Sequence, residues 1–210
     1  MYVMSGPVVV VLAAGRGKRF GGRTHKLEQH LGASSVLGTT LRHVLASQLP
    51  MVVVTTAAMA ATVRHTVAAR DIVVLPAVGT PGPEPLGMGY SIACGVAARA
   101  DAAGWLILPA DMPMVRPETL QAVARELRNH TIAYAQHRGQ RGHPVGFAAE
   151  LYSELVALEG DEGARRLVAR YPAHGVEVAD PGVLIDIDTE ADLAGLREGA
   201  LATARIGSTP

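Results

Sequence analysis

The amino-acid sequence predicts an α/β fold, a single domain built on a doubly wound, mostly parallel sheet. Three observations predict it. Short runs of aliphatic residues recur along the chain; stretches of helical period, rich in Ala and Leu with Arg on the outer positions, separate them; and a glycine-rich, basic loop follows the first run directly. A strand wet on one face alternates polar and apolar residues, whereas unbroken apolarity marks a strand covered by helices on both faces. Repeated βα units of this kind give the doubly wound class.

The first half supplies strands at Val8–Ala13, Met51–Thr55, Ile72–Leu75 and Trp105–Pro109, with helices at Val36–Ser47, Ala57–Ala69 and Met88–Ala100 between them. After Asp111-Met112-Pro113 a helix is predicted over Pro117–Asn129, opened by a proline whose fixed φ suits the first turn. A strand follows at Thr131–Gln136, then a loop, Arg138–Pro144, rich in Gly, Arg and His, and a strand around Val145–Ala148. Helices are predicted over Ala149–Leu158 and Glu162–Arg170, and strands near Val176 and Leu184. Thr189, with Asp192 three residues on, is a variant capping box for a last helix to Arg197. Residues 1–198 are the expected domain, and residues 199–210 a frayed tail.

A chain of 210 residues can bury a proper core, and 49% hydrophobic against 18% charged residues suits globular packing. Lys+Arg and Asp+Glu both number 19, which excludes the global basic field of a non-specific nucleic-acid binder. Charge is nonetheless segregated. Arg16, Lys18, Arg19, Arg23, His25 and Lys26 stand together without an acid, while Asp180, Asp186, Asp188, Glu190 and Asp192 cluster near the other end. No apolar run approaches the ~20 residues of a membrane span. The one cysteine, Cys94, cannot form an internal disulfide and reads as a small core residue, and no secretory leader is recognised, so the expected compartment is the cytoplasm.

In open parallel sheets ligands bind outside the carboxyl ends of the strands. Gly15–Lys26 follows the first strand and Asp111 the fourth, so both are expected to face one crevice. As a dinucleotide fingerprint the loop has the wrong final glycine spacing, and the second strand ends in Thr55-Thr56 where an acid should meet the ribose. As a P-loop, Gly17–Thr24 has Arg23 where lysine is needed. The remaining reading is a clamp for a nucleoside triphosphate: glycines at 15, 17, 21 and 22 let backbone N–H groups approach an anion, with Arg19 and Lys26 supplying charge. Among the histidines no pair has a zinc-ligand spacing such as His-Glu-x-x-His.

Leu12-Ala13-Ala14-Gly15-Arg16-Gly17-Lys18-Arg19-Phe20-Gly21, followed by Lys26-Leu27, resembles the signature loop of MobA/MocA-type nucleotidyltransferases, in particular the molybdenum cofactor cytidylyltransferases. Phe20 replaces the usual Met, Gly17 the usual Ser, and the run before Lys26 is longer. Further blocks are similar in order: Val36–Arg42, Gly87–Ile92, Leu108–Pro113, Gly142-His143-Pro144-Val145, Gly160–Arg165 and Asp186–Leu193.

The resemblance implies a Rossmann-like nucleotidyltransferase fold of the GT-A type and Mg²⁺-dependent transfer of CMP from CTP to the terminal phosphate of molybdopterin, with pyrophosphate released. It implies catalytic roles for Lys26, Arg19 and Asp111, and nucleotide contacts from Leu12, Ala13, Ala14, Gly15, Arg16, Gly17, Arg19, Lys26, Gly87 and Ser91. Asp111 and Asp188 are the implied metal ligands, with Asp186 the alternative to Asp188, and Arg141 and His143 face the second substrate. A helix-capping role is the structural alternative for Asp111 and Asp188, and an exposed hairpin rim for Arg141 and His143. GTP-using relatives tend to carry Leu-Ala-Gly-Gly; Ala14 therefore favours CTP. A xanthine-dehydrogenase-like molybdoenzyme is the implied recipient, with neither nucleic acid nor membrane as partner. The alternatives are a GTP-using or other-acceptor member of the family, a non-catalytic cofactor carrier, and an NAD(P)H-dependent oxidoreductase on a similar sheet.

Overall fold

Seven strands form one sheet in a computed structural model that describes residues 6–15, 20, 24–76 and 87–206, those from 199 on as backbone only. In chain order the elements are β1 (Val8–Ala13), the two-residue strands β2 (His30–Leu31) and β3 (Ser34–Ser35), α1 (Val36–Ala46), β4 (Met51–Thr56), α2 (Ala57–Arg64), β5 (Ile72–Leu75), α3 (Met88–Ala97) and β6 (Gly104–Pro109). Then follow α4 (Pro117–Glu126), β7 (Ile132–His137), β8 (Gln140–Ala148), α5 (Tyr152–Val156), α6 (Arg165–Arg170), β9 (Ala173–Glu177) and α7 (Glu190–Ile206).

The sheet order is β5-β4-β1-β6-β8-β7-β9. Every neighbouring pair is parallel except those of β8, which runs antiparallel to both β6 and β7. β2 and β3 form a separate antiparallel pair ahead of α1.

Alternation along the strands divides the core into two layers. Val9 and Val11 of β1 and Leu106 and Leu108 of β6 pack with Leu37 and Leu41 of α1, Met59 and Val63 of α2 and Leu120 and Val123 of α4. Val8, Val10, Trp105 and Ile107 point the other way, onto Ile92 and Val96 of α3, Leu155 of α5 and Leu167 of α6. All four valines of this β1 run are at most 1% exposed, which is why the run is apolar on both faces. Each such burial is worth roughly 1.5–3 kcal/mol.

The predicted α/β sheet is therefore present, with local corrections. Arg138–Pro144 is mostly strand: the chain reverses at Arg138 and Gly139, whose φ values of 52° and 75° suit a two-residue hairpin turn, and β8 starts at Gln140. The segment ending at Leu184, expected as a strand, is a 3-10 turn, Pro181–Leu184, because Asp180 caps it by accepting from the Gly182 N–H and Pro181 has no N–H for a ladder. The second helix stops at Arg64 rather than Ala69, the helix expected from Glu162 starts at Arg165, and Ala149–Leu158 divides into a 3-10 turn, Ala149–Leu151, and α5. The last helix continues past Arg197 to Ile206.

Candidate active site

At the carboxyl rim of the sheet, Ala14 and Gly15 leave β1. His25 meets this rim. Its Nδ1 accepts from the Leu27 N–H at 3.2 Å and its Nε2 lies 2.9 Å from the Gly15 carbonyl oxygen; one tautomer, protonated on Nε2, satisfies both contacts. His25 thus caps the 3-10 turn Lys26–Glu28 and sets the direction in which Lys26 leaves it.

Lys26 is 9% exposed. Its ammonium donates to Asp111 Oδ2 at 2.6 Å and to Asp188 Oδ1 at 2.9 Å. Burial works to lower the pKa of Lys26, but the hydrogen bonds and attraction of Asp111 and Asp188 outweigh it and hold the lysine above its usual range. A charged lysine therefore joins the turn after β1, the turn after β6 and the segment before α7.

Backbone bonds put the two aspartates in place. The Ala110 N–H donates to the Leu12 carbonyl at 3.1 Å, and Thr40 Oγ1 of α1 donates to the Ala110 carbonyl at 2.9 Å, fixing the turn that carries Asp111. The Ile187 N–H donates to the Asp111 carbonyl at 3.0 Å, which brings the flanking Asp186 and Asp188 to the same place. Close approach of Pro181–Leu184 to β8 requires Gly142, since a Cβ there would lie 2.1 Å from the Val183 carbonyl oxygen.

The helix-capping alternatives are taken by other residues. Arg116 is the N-cap of α4. At α7, Thr189 and Asp192 form the reciprocal box: Asp192 Oδ2 accepts from the Thr189 N–H at 2.7 Å and Thr189 Oγ1 accepts from the Asp192 N–H at 3.2 Å. Asp192 Oδ2 also accepts from the Asp188 N–H at 3.1 Å, leaving the Asp188 carboxylate on Lys26.

Asp186 is held above the usual carboxylate range chiefly by burial, with the charges of Asp188 and Asp111 adding to it. Three acids and one lysine give the cluster surplus negative charge. Among the described residues Asp111 Oδ1 is buried with no hydrogen-bond partner, a costly arrangement for a carboxylate oxygen unless a cation or donor is to meet it. Oxygen donors of this kind suit a hard divalent cation such as Mg²⁺ or Mn²⁺.

His143, near the start of β8, feels the Asp111 charge but is dominated by burial, which pushes its pKa down to about 4, with Arg141 lowering it further. At neutral pH it is an uncharged imidazole. Arg141, two residues earlier, is exposed, and its guanidinium lies 4.7 Å from the centre of the Tyr134 ring.

Gly87 and Ser91 open α3. Gly87 has φ of 24°, and a Cβ there would lie 2.1 Å from the Gly160 carbonyl oxygen, so this helix start is pressed against 159–161. Ser91 is 7% exposed and its hydroxyl donates to the Gly87 carbonyl at 3.2 Å, a use internal to the helix. Of the residues expected on the nucleotide, Leu12, Ala13, Ala14, Gly15 and Lys26 lie on β1 and its rim, whereas Arg16, Gly17 and Arg19 fall outside the described residues. Sequence reasoning missed His25 as the pivot of Lys26. It also missed Asp180, 3% exposed, which accepts from the Arg116 N–H at 2.9 Å, Thr119 Oγ1 at 2.7 Å and the Gly182 N–H at 3.0 Å and so ties α4 to the Pro181–Leu184 turn.

A mostly parallel sheet with one reversed strand thus carries, at its carboxyl rim, a lysine that bridges two aspartates. Residues 9–176 match the family model of the MobA-like NTP transferase domain, and the chain belongs to that family. It is similar to the purine catabolism protein PucB of Bacillus subtilis (strain 168), 30% identical, with 86% of this chain and 90% of the relative covered. Among solved structures it is similar to Rv0371c of Mycobacterium tuberculosis H37Rv (27% identity, TM-score 0.76, covering 93% of this chain and 99% of that one). A manganese complex of the same mycobacterial protein also matches, at 27% identity and a TM-score of 0.73, covering 92% and 99%. A nucleotidyl transferase of Methanothermobacter is 25% identical, with a TM-score of 0.75 over 94% of this chain and 99% of that one. The oxidoreductase alternative is set aside: the protein is a nucleotidyltransferase. Among the described residues no helix is long and apolar enough to cross a membrane.

Proposed function

We propose that this enzyme transfers CMP from CTP to the terminal phosphate of the molybdopterin cofactor, releasing pyrophosphate, with Mg²⁺ held by Asp111 and Asp188. The observation that carries the reading is the ammonium of Lys26 bridging those two carboxylates at 2.6 and 2.9 Å on the rim that the glycine loop leaves.

The reaction forms a bond from a phosphate oxygen of the acceptor to the α-phosphorus of CTP and breaks the bond from that phosphorus to the β-phosphate bridging oxygen. A phosphate nucleophile is already ionised at neutral pH, so no side chain need remove a proton. When bound, the divalent cation neutralises and polarises the α-phosphate. The protein's share is positioning and charge: Lys26 and Arg19 meet the growing charge of pyrophosphate, while Arg16, Gly17 and the Gly15 backbone line the phosphates. Leu12, Ala13 and Ala14, with Gly87 and Ser91, bound the base. Arg141 and the uncharged His143 face the acceptor, a cation for its phosphate and a neutral imidazole that can hydrogen-bond without adding charge.

The hard oxygen set supports a divalent cation, and the manganese complex of the mycobacterial relative agrees with it. PucB is a purine catabolism protein by name, which agrees with delivery of the finished cofactor, in the cytoplasm, to a recipient that oxidises a purine such as xanthine.

The test is pyrophosphate release with molybdopterin and either CTP or GTP, with Mg²⁺ or chelator. The expected result is release that needs Mg²⁺, acceptor and CTP together, with Ala14→Gly raising the rate on GTP relative to CTP. Faster release with GTP would overturn the base assignment, and release indifferent to molybdopterin would overturn the acceptor.

A further inference from the structure

At the opposite end of the sheet from the crevice, α4 and β9 bring Glu126, His130 and His174 together. Glu126 ends α4, and the chain continues to wind so that the His130 N–H donates to the Glu126 carbonyl at 3.0 Å, which stacks the two side chains one turn apart. His130 Nε2 lies 3.6 Å from Glu126 Oε2. His174 comes from β9, at the position paired with Ala133 of β7. Its ring stacks on that of His130, centroids 4.0 Å apart and 5° from parallel. One ligand atom from each residue lies within 4.8 Å of the other two.

We propose that these three residues form a second metal site, remote from the catalytic carboxylates, for a borderline divalent ion such as Zn²⁺ or Ni²⁺. The donor set decides the metal. Two imidazole nitrogens and one carboxylate oxygen favour zinc, nickel or copper, whereas Mg²⁺ takes oxygen ligands. Donors at about 2.0–2.1 Å from a tetrahedral centre stand about 3.4 Å apart. The Glu126–His130 separation nearly meets this, and rotation of the exposed His174 ring closes the rest. Three protein ligands leave a fourth position for water. The ion would bridge the end of α4 to β9, an edge strand paired on one side only, and so act as a clamp on the sheet edge.

The experiment is calorimetric titration of the full chain with Zn²⁺ in millimolar Mg²⁺, together with melting curves. One zinc per chain is expected to bind and raise the melting temperature, by roughly 5–10 °C at a hundredfold excess over the dissociation constant. His174→Ala, which removes an exposed ring and leaves the fold intact, is expected to weaken binding at least tenfold, and His130→Gln likewise. Asp111→Asn is expected to leave the titration unchanged, which separates this site from the catalytic one. Equal zinc affinity in wild type and His174→Ala, or loss of binding in Asp111→Asn alone, overturns the proposal.

Discussion

The backbone N–H of Ile187 donates to the carbonyl of Asp111 at 3.0 Å, joining two segments far apart in the chain. Asp188 consequently arrives at Lys26 alongside Asp111, while Asp186, on the other side of Ile187, does not meet the lysine in a direct bond. Asp111→Asn and Asp188→Asn are each expected to lower turnover at least tenfold and to weaken Mn²⁺ binding, with Asp186→Asn affecting both less. Steady-state pyrophosphate release and Mn²⁺ titration check the order.

Removing the lysine leaves two part-buried carboxylates facing each other. Opposite unit charges ~4 Å apart at an effective dielectric of ~20 attract by about 4 kcal/mol before desolvation, so the loss matters to the fold as well as to the reaction. Lys26→Ala is expected to melt earlier than wild type in chelator and to recover part of the difference in Mg²⁺, yet to turn over at least tenfold more slowly when saturated with metal. Differential scanning calorimetry with and without Mg²⁺ separates the two effects.

His143 predicts a pH dependence of stability. In the unfolded chain a histidine protonates near 6.5, whereas burial in the native state delays this to about 4. Between these values the unfolded state binds more protons, so this residue makes stability rise with pH across that window. Relative to pH 7.5, wild type at pH 5 is expected to lose about 2 kcal/mol more than His143→Gln. Urea unfolding of both proteins at the two pH values measures it; parallel losses would remove His143 from the account.

Gly142→Ala places a methyl group 2.1 Å from the Val183 carbonyl oxygen, a backbone atom that cannot swing aside. The expected cost is on the order of 1–3 kcal/mol. Because the displaced turn leads into Asp186–Asp188, turnover per folded molecule is expected to fall as well, read from activity normalised to the native fraction.

Asp180→Ala strips a buried cap from three donors. The expected loss is about 2–4 kcal/mol of stability, with little change in the Michaelis constant for the nucleotide below the melting transition. A large rise in that constant would place Asp180 in the site itself.

Most of the sheet was legible because its central strands are buried on both faces, and Val8–Val11 and Trp105–Leu108 carry that environment in every residue. That Lys26, Asp111 and Asp188 meet was to be expected from motif likeness, not from their spacing in the chain. What was not legible rests on contacts between distant segments. The strand content of Gln140–Pro144 depends on a tight reversal at Arg138, a residue that does not ordinarily signal positive φ. The 3-10 turn at Pro181–Leu184 depends on the Asp180 cap. Glu126 and His130 have a helical spacing that any exposed face shows, and only the pairing of β9 with β7 supplies His174.

The reversed β8 gives this molecule a division of labour. In a wholly parallel sheet, only segments that follow a strand open onto the ligand crevice; running one central strand backwards also delivers the segment that begins it, and with it Arg141 and His143. The carboxyl rim thereby draws on separate stretches of sequence, one that follows β1 and one at the head of β8. On the proposed assignment, changes in the hairpin alter acceptor preference while the loop after β1 keeps its sequence, so one scaffold can diversify its products without renegotiating its energy source.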